Sequence, residues 1–312
     1  MGKIAVELES GPAPFVASDT PNQLVRQQLA CGDGWSVSDV TCHAGPNVRP
    51  VEEQHSRVCV AIVRAGSFQY ESSAGRELMT PGSLMLGNAG QCFECSHEHG
   101  VGDRCISFAY APQLIDDLAA DAGVRIRSTR FSSLRVPPLR RLANLVARAC
   151  AGVARSSTST ATERTKFWEE IAQELVVEAL ESASEAPGRG SSPAAEARVT
   201  RIVRMIETRP GEEHDLGTLA REARLSRYHF LRVFQQLTGL TPHQYVLRSR
   251  LRHAAIRLQL ERKRILDIAL DSGFGDVSNF NHAFRAELGV SPRGYIRPAY
   301  ADNSLRSDQC PP

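Results

Sequence analysis

The segment Gly273–Pro292, GFGDVSNFNHAFRAELGVSP, decides the fold of the C-terminal part of the chain. It opens with a glycine-containing turn in which Asp276 can cap a following helix, and the apolar residues Phe280, Phe284 and Leu288 then recur at helical spacing. It closes with Ser291-Pro292, an N-cap followed by proline at the first helical position. The segment therefore predicts a turn, an amphipathic helix and the start of another helix.

The same pattern occurs earlier in the chain, so one helical unit is present twice. Phe234, Gly239-Leu240-Thr241-Pro242 and Tyr245 are repeated fifty positions later as Phe284, Gly289-Val290-Ser291-Pro292 and Tyr295. Upstream, Leu219-Ala220 corresponds to Ile268-Ala269 at an offset of forty-nine, which predicts one extra residue in the turn of the second copy.

Each copy predicts two helices joined by a short turn. In the first copy Asp215 can cap a helix that ends near Ala223, and Ser226 can cap the second helix. We call the second helix of each copy its reading helix. The inward face of this helix carries Phe230, Val233, Phe234 and Leu237 in the first copy. In the second copy it carries Phe280, Phe284 and Leu288. An apolar stripe within Tyr245–Leu260 predicts a helix that joins the copies rigidly.

The exposed ends of the reading helices carry hydrogen-bonding side chains, as a DNA-binding surface requires. A helix fits the major groove, where Arg232 can bond guanine in a bidentate manner and Asn279 or Asn281 can pair with adenine. Adjacent major grooves on one face of the duplex lie about 34 Å apart, so one chain is expected to cover two successive turns. A purely structural or protein-binding helical repeat is the alternative.

Charge is distributed unevenly along the chain. Residues 194–300 contain 18 Arg/Lys against 11 Asp/Glu, whereas residues 1–193 contain 18 against 22. Because duplex DNA is bound largely through Lys and Arg contacts that release counterions, the basic C-terminal part is the expected nucleic-acid face.

Residues 215–298 resemble the DNA-binding domain of the AraC/XylS family of regulators. The resemblance rests on LAREARLSRYHFLRVF (219–234), LTGLTPHQYVLRSRLRHA (237–254) and DIALDSGFGDVSNFNHAFRAELGVSPRGYIR (267–297). It implies two helix-turn-helix units, double-stranded DNA and RNA polymerase as partners, and no enzymatic activity. The residues expected to contact DNA are Arg227, Tyr228, Leu231, Arg232, Ser278, Asn279, Asn281 and His282. Leu231 can touch a thymine methyl group but cannot form a hydrogen bond.

Arg224 stands where the family usually has glycine. If the backbone needs positive φ at that position, arginine costs about 1 kcal/mol, and the first unit is then less rigid.

The N-terminal half has a different pattern. Short β-prone runs separated by Gly and Pro, such as Val58–Val63 and Arg104–Tyr110, predict a small antiparallel barrel or sandwich. Two helices are expected to follow at Pro138–Ala151 and Glu163–Ser182. The apolar stripe of the second helix either packs on the barrel or takes part in a homodimer. The predicted fold class is α+β with two domains: a sensor and dimerisation domain (1–181), a linker (182–195), the DNA-binding domain (196–298) and a tail (299–312).

Family members commonly carry a cupin-like barrel before the DNA-binding domain, and LMTPGSLMLGNAGQCFECSH (78–97) is similar to a cupin segment. The first cupin motif, two histidines separated by one residue and followed by glutamate, is absent, and His55 alone lies near its expected place. The absence of this motif argues against the metal-dependent enzyme chemistry of cupins. A cupin-type metal-dependent enzyme with a DNA-binding appendage is the alternative function.

Cysteine and histidine residues cluster at positions 92–105. Cys95, His97 and His99 alternate along one predicted strand, so they are expected to share a face, and thiolate plus imidazole suits zinc. A redox-responsive thiol and a structural or small-molecule pocket role for the cluster are the other hypotheses. The effector is therefore expected to be a small molecule or a metal, and the cofactor is unknown.

Neither a signal peptide nor an apolar run of membrane-spanning length is apparent in the sequence, so the expected location is the cytoplasm and no membrane partner is expected. The function predicted from the sequence is sequence-specific transcriptional regulation controlled by a signal sensed in the N-terminal barrel.

Overall fold

The structure, a computed structural model, describes residues 4–5, 24–46, 48–97, 102–121, 130–156, 159–183 and 192–300. Within these residues the N-terminal part is rich in β-strands and the C-terminal part is helical. Of the predicted linker, Ser182–Ala183 and Pro193–Ala195 belong to helices, and residues 184–191 lie outside the described part. Residues 301–312 of the predicted tail also lie outside it.

Eleven strands are present in the described residues. In chain order they are β1 (Ile4–Ala5), β2 (Leu24–Gly32), β3 (Trp35–Cys42), β4 (Glu53–Gln54), β5 (Val58–Gly66), β6 (Phe68–Ser72), β7 (Gly75–Met79), β8 (Leu84–Gly87), β9 (Cys92–Ser96), β10 (Asp103–Tyr110) and β11 (Arg135–Val136).

The strands form two open sheets, and this corrects the prediction of a closed barrel. One sheet has the order β1-β4-β9-β6-β7 and the other the order β11-β8-β5-β10-β3-β2. Apart from the parallel β1–β4 pair, neighbouring strands are antiparallel, as predicted. Short alternating strands predict antiparallel pairing without fixing whether the last strand closes on the first, which explains the error.

Both faces of β5 are buried, which accounts for its nearly continuous apolar sequence VCVAIV. Val58, Val60 and Ile62 lie in a core shared with the helices, whereas alternate residues such as Cys59 and Ala61 lie in a second core towards β6 and β7. Since successive side chains of a strand point to opposite faces, the larger sheet is covered by helices on one side and by the smaller sheet on the other.

The described residues of the N-terminal half contain three α-helices, where the sequence predicted two. They are α1 (Pro112–Asp121), α2 (Ala143–Arg155) and α3 (Ala161–Ala183). α2 and α3 correspond to the two predicted helices, with a short 3-10 turn at Arg140–Leu142 before α2. The apolar stripe of α3 is buried in the core shared with the larger sheet, so the packing hypothesis for this stripe is confirmed.

The C-terminal part is helical throughout its regular structure. Its helices are α4 (Pro193–Thr208), α5 (Leu216–Glu222), α6 (Arg227–Thr238), α7 (Pro242–Leu260), α8 (Ile265–Asp271), α9 (Val277–Leu288) and α10 (Pro292–Tyr300). No helix of the described residues has an apolar stretch suited to crossing a lipid bilayer.

Two apolar cores organise the helical part, and each includes a residue of the N-terminal half. The first core joins α4, α5 and α6 and contains Leu78 of β7. The second joins α7, α8 and α9 and contains Ala147 of α2. The two helical units are therefore packed directly against the β-rich part of the chain.

Candidate functional site

The first helical unit is formed by α5, a tight turn and α6. The carboxylate of Asp215 accepts hydrogen bonds from the backbone N–H groups of Gly217 (2.8 Å) and Thr218 (3.1 Å), which caps α5. Ser226 caps α6 by accepting a hydrogen bond from the N–H of His229 at 3.3 Å. Both caps were predicted, and both satisfy backbone donors that the first turn of a helix leaves free.

The second unit repeats this construction with α8 and α9. Asp276 accepts a hydrogen bond from the N–H of Asn279 at 2.7 Å and caps α9, as predicted. Phe280 and Phe284 are fully buried in the core of the unit, with their ring centroids 5.3 Å apart. The inward face of α9 therefore anchors the helix and leaves its opposite face to solvent.

The turns of the two units have matching hydrogen bonds. The N–H of Leu225 donates to the carbonyl of Ala220 (3.0 Å), and the N–H of Phe274 donates to that of Ala269 (3.1 Å). The second turn then contains one additional residue, Gly275, before its N-cap. The single-residue difference predicted from the offsets of the repeat is therefore confirmed.

The backbone of Arg224 has the left-handed conformation anticipated from its position. Its φ is 53°, the one positive value at a non-glycine residue in the described part of the chain. The matching position in the second unit is Gly273, with φ 83°. A side chain in this region costs conformational energy that glycine avoids.

The predicted DNA-contact residues lie on the N-terminal turns of the two reading helices. Seven of the eight are exposed and Leu231 is half-buried; Tyr228 is 78% exposed. The guanidinium of Arg227 lies beside the start of α5, where a Cβ added to Gly217 would be 2.9 Å from Nη2 of Arg227. Both helices thus present polar tips to solvent, and contact with bases remains a prediction for every one of these residues.

Helix α7 joins the two units as one continuous helix of 19 residues. A capping box begins it: Thr241 accepts a hydrogen bond from the N–H of Gln244 (3.3 Å), and Oε1 of Gln244 accepts one from the N–H of Thr241 (3.0 Å). The predicted rigid joint at Tyr245–Leu260 is therefore present, and it begins three residues earlier than expected.

Several arginines of α7 form hydrogen bonds and ion pairs with other segments of the chain. Arg250 donates to the carbonyls of Pro210 (2.9 Å), Glu212 (2.7 Å) and Gly273 (2.9 Å), so that one side chain links the turn of the second unit to the segment after α4. Arg248 pairs with Glu287 at 2.9 Å. The basic C-terminal part was expected to face nucleic acid, and no pattern in the sequence indicated these internal partners of its arginines.

A largely buried ion pair joins α7 to α4, with 10% of the Arg252 side chain and 13% of the Glu207 side chain exposed. Nη2 of Arg252 lies 2.6 Å from Oε1 of Glu207, and Nε2 of His253 lies 3.3 Å from its Oε2. Burial acts to raise the pKa of Glu207, but the charges of Arg252 and His253 and their hydrogen bonds outweigh it and lower the pKa to about 2. Glu207 is therefore held as a carboxylate.

A cavity of about 330 Å³ lies between the two sheets of the N-terminal half. Residues from strands of both sheets line it, and they include apolar and charged side chains. Its polar and ionisable lining consists of Arg26, Cys42, Arg49, Glu53, His55, Cys59, Cys95, His97, Asp103, Cys105 and Ser107. All seven cysteines of the described residues are free thiols, and four of them border this space.

His55 is buried at one wall of the cavity. Its Nε2 lies 2.8 Å from the hydroxyl of Tyr70, and its ring stacks on Phe93 with centroids 4.0 Å apart. Desolvation first, and then the nearby charge of Arg26, lower the pKa of His55 to about 4, so the ring is neutral at physiological pH. The residue expected near the cupin ligand position thus already has a hydrogen-bond partner.

His97 and Asp103 meet at another wall. Nε2 of His97 is 2.5 Å from Oδ2 of Asp103, and both side chains are buried. Desolvation tends to lower the pKa of His97, but hydrogen bonds to Asp103 and Cys42 and the charges of these groups raise it to about 9. Sγ of Cys105 donates to Oδ1 of Asp103 at 3.3 Å, and burial raises the pKa of this thiol.

The structure brings together a different set of residues from the predicted metal ligands Cys95, His97 and His99. One potential ligand atom each from Cys42, His97 and Asp103 lies within 4.8 Å of the others. Cys95 lines the same cavity outside this group, and His99 lies outside the described residues. Cys42 is distant in sequence from the cysteine–histidine cluster, and the pairing of β3 with β10, which sets Cys42 opposite Asp103, was needed to find it.

The helical part matches a family model described as a helix-turn-helix domain over residues 219–298. Over 97 residues the chain is 31% identical to the HTH-type transcriptional activator AarP of Providencia stuartii, and the match covers 31% of this chain and 72% of AarP. Over 98 residues it is 30% identical to the HTH-type transcriptional regulator MtrA of Neisseria gonorrhoeae, covering 31% of this chain and 33% of MtrA.

Among solved structures, the DNA-binding domain of AdpA in complex with a target DNA has 29% identity and a TM-score of 0.33, with 35% of this chain and 97% of that chain covered. The chain spans about a third of the length of several curated relatives that it matches. The match to AarP spans most of that protein and agrees with the duplicated unit described above. The chain therefore belongs to the AraC/XylS family of helix-turn-helix proteins.

Proposed function

We propose that this protein is a transcriptional regulator that binds specific sequences of double-stranded DNA through α6 and α9. One observation carries the proposal: two reading helices, joined by the continuous helix α7, both expose polar residues at their N-terminal ends. Helix tips of this kind reach base edges when the helix enters the major groove. The excess of Arg and Lys in residues 194–300 supports binding to the phosphate backbone.

The residues proposed to read bases fall into two groups, one for each unit. Arg232 suits bidentate bonding to guanine, whereas Asn279 and Asn281 suit adenine. Leu231 is proposed to contact a thymine methyl group. Arg227 is exposed, its guanidinium lies beside the start of α5, and it is proposed to bond a phosphate. The remaining proposed contacts are Tyr228, Ser278 and His282.

The N-terminal half is proposed to be a cupin-like sensor region, and the cavity between its sheets to be the place where a small molecule or metal signal binds. Its walls combine apolar residues with a few charged groups, a composition typical of ligand pockets. Residues 1–181 and 196–298 are proposed as the two domains. Homodimerisation through the N-terminal half, contact with RNA polymerase and a cytoplasmic location complete the proposal.

An enzyme is the second class of function suggested by the sequence, as a cupin-type metal-dependent catalyst with a DNA-binding appendage. The relatives named above are a transcriptional activator and a transcriptional regulator, and they lend this class no support. We therefore propose that the cavity binds a signal and does not turn over a substrate.

Selection of bound sequences from a random DNA library, followed by gel-shift titration, tests the regulator proposal. The full chain is expected to enrich a motif with two half-sites, and its affinity is expected to fall as salt concentration rises, because phosphate contacts release counterions. Binding that has neither a sequence preference nor a salt dependence contradicts the proposal.

A further inference from the structure

We propose that Cys42, His97 and Asp103 form a binding site for one divalent metal ion of the zinc class at the wall of the N-terminal cavity. The three side chains provide a thiolate, an imidazole and a carboxylate, and their potential ligand atoms lie within 4.8 Å of one another. This combination of ligands suits zinc and ions of similar softness. The site does not depend on whether the helical part binds DNA.

The topology explains why these residues meet. Cys42 ends β3 and Asp103 begins β10, and the two residues are directly paired across the antiparallel strands. Side chains of such pairs lie on the same face of a sheet. His97 comes from the opposite sheet, one residue after β9 ends. Donors from both sheets therefore converge at one end of the cavity.

The present distances are compatible with capture of an ion after a small side-chain movement. In a tetrahedral zinc site the ligand atoms are separated by about 3.2–3.8 Å, as follows from bonds of 2.0–2.3 Å. Nε2 of His97 and Oδ2 of Asp103 are now 2.5 Å apart, so these two atoms must separate slightly to ligate one ion together with Cys42. Rotation about side-chain bonds suffices for changes of this size.

The proposed ligands are mostly buried, which distinguishes this group from exposed side chains that bind ions adventitiously. His97 and Asp103 are 5% and 9% exposed, and Cys42 is half-buried. Two further thiols, Cys95 and Cys105, border the same cavity. A metal held by the three proposed ligands would leave its fourth position towards one of these thiols or towards a molecule in the cavity, as zinc sites with three protein ligands do.

Titration of the reduced, metal-free protein with Co²⁺ alone tests the site, because cobalt substitutes for zinc and its complexes are coloured. The purified full chain, prepared without an affinity tag, is expected to bind one equivalent and to develop a thiolate-to-cobalt charge-transfer absorption. Zn²⁺ is expected to remove the absorption by displacement. Absence of the absorption, or of a one-to-one endpoint, overturns the proposal.

Three conservative variants identify the ligands: Cys42→Ser, His97→Gln and Asp103→Asn. Each is expected to weaken Co²⁺ binding by more than about ten-fold, and Cys42→Ser is expected to reduce the charge-transfer absorption in addition. Cys92→Ser is the matched control, because Cys92 lies on β9, is half-buried and does not border the cavity. It is expected to bind Co²⁺ as the unchanged protein does.

Circular dichroism and thermal unfolding of each variant in the absence of metal show whether the fold is intact. For a variant with native spectra, unchanged Co²⁺ affinity removes that residue from the site and overturns the proposed set. Should one variant fail to fold, the other two still decide the outcome. Loss of the absorption in Cys92→Ser with retention in Cys42→Ser also overturns the proposal, because it places the ion elsewhere.

Discussion

Arg224 and Gly273 occupy the same position in the two turns of the repeat, and both have positive φ, 53° and 83°. Glycine adopts positive φ without a steric penalty, whereas the Cβ of arginine comes close to the backbone in this conformation. Arg224→Gly is therefore expected to raise the free energy of unfolding by about 1 kcal/mol, measured by urea denaturation. Its side chain is exposed, so little packing is lost with it.

The control for that change is Gly273→Ala. A Cβ there would meet the carbonyl oxygen of Gly211 at 2.6 Å, so this variant is expected to lose stability. A destabilising effect of Arg224→Gly contradicts the account of strain in the first turn.

Gly239 and Gly289 end the two reading helices with nearly the same φ, 78° and 79°, but their surroundings differ. A Cβ on Gly239 would lie 2.5 Å from the Cβ of Pro137, whereas a Cβ on Gly289 meets no atom of the described residues within 4 Å. Gly289→Ala is expected to cost about 1 kcal/mol for the left-handed backbone alone. Gly239→Ala is expected to cost more, and equal losses in thermal unfolding would argue against close packing of α6 on the N-terminal half.

Glu207→Gln is expected to destabilise the protein, because it leaves the buried guanidinium of Arg252 without its 2.6 Å carboxylate partner. Removing one member of a buried pair costs about 3–5 kcal/mol, and the amide of glutamine recovers part of this by hydrogen bonding. Glu212→Gln is the control, because Glu212 pairs with Arg209 at the surface with both side chains more than half exposed. A similar small loss in both variants would contradict the assigned importance of the α4–α7 pair.

The same carboxylate predicts a dependence of stability on pH. The pKa of Glu207 is lowered in the folded protein from 4.5 to about 2, so its contribution is present above pH 4.5 and is lost as the pH falls towards 2. From pH 5.5 to pH 3 the unchanged protein is expected to lose about 2 kcal/mol of unfolding free energy from this group. Glu207→Gln lacks this part of the loss, and parallel curves for the two proteins in acid denaturation would refute the assignment.

Arg232→Ala and Asn279→Ala are expected to relax base preference in different halves of the bound site. The reason is that Arg232 lies on α6 and Asn279 on α9, and each lost base contact is worth about 1–3 kcal/mol of discrimination. Quantitative binding to single-base variants of the selected DNA measures the effect. Gln235→Ala, on a later turn of α6, is the control and is expected to leave the base preference unchanged. If Arg232→Ala and Asn279→Ala affect the same base pairs, the proposal that α6 and α9 contact different half-sites is contradicted.

The helical part was more predictable from sequence than the β-rich part, and the reason lies in the range of the interactions. Caps such as Asp215, Ser226 and Asp276 act within three residues, and the cap of the second helix recurs at the matching position of the repeat, as Ser226 in the first unit and Asp276 in the second. The Cys42–Asp103 pair depends on strand register across sixty residues, which spacing along the chain does not reveal. The internal partners of Arg250 likewise come from three separate segments.

The prediction of a closed barrel was wrong for the same reason, whereas metal binding by Cys95 stays a prediction. Cys95 and His97, which are two positions apart in the sequence, both border the cavity. Their spacing did not indicate that the facing strands would bring Cys42 and Asp103 closer to His97. Helix α1 was also missed, since its sequence PQLIDDLAAD is short and its apolar residues are few.

Because α7 is one unbroken helix packed against both units, the proposed operator has little freedom in the length of its spacer. Inserting five base pairs between the half-sites would rotate one of them by about half a turn, to the far side of the duplex. A change of that kind separates the two reading helices from their targets without altering a single recognised base. Genomic searches for operators can therefore keep the spacer length constant and vary only the base sequence of the half-sites.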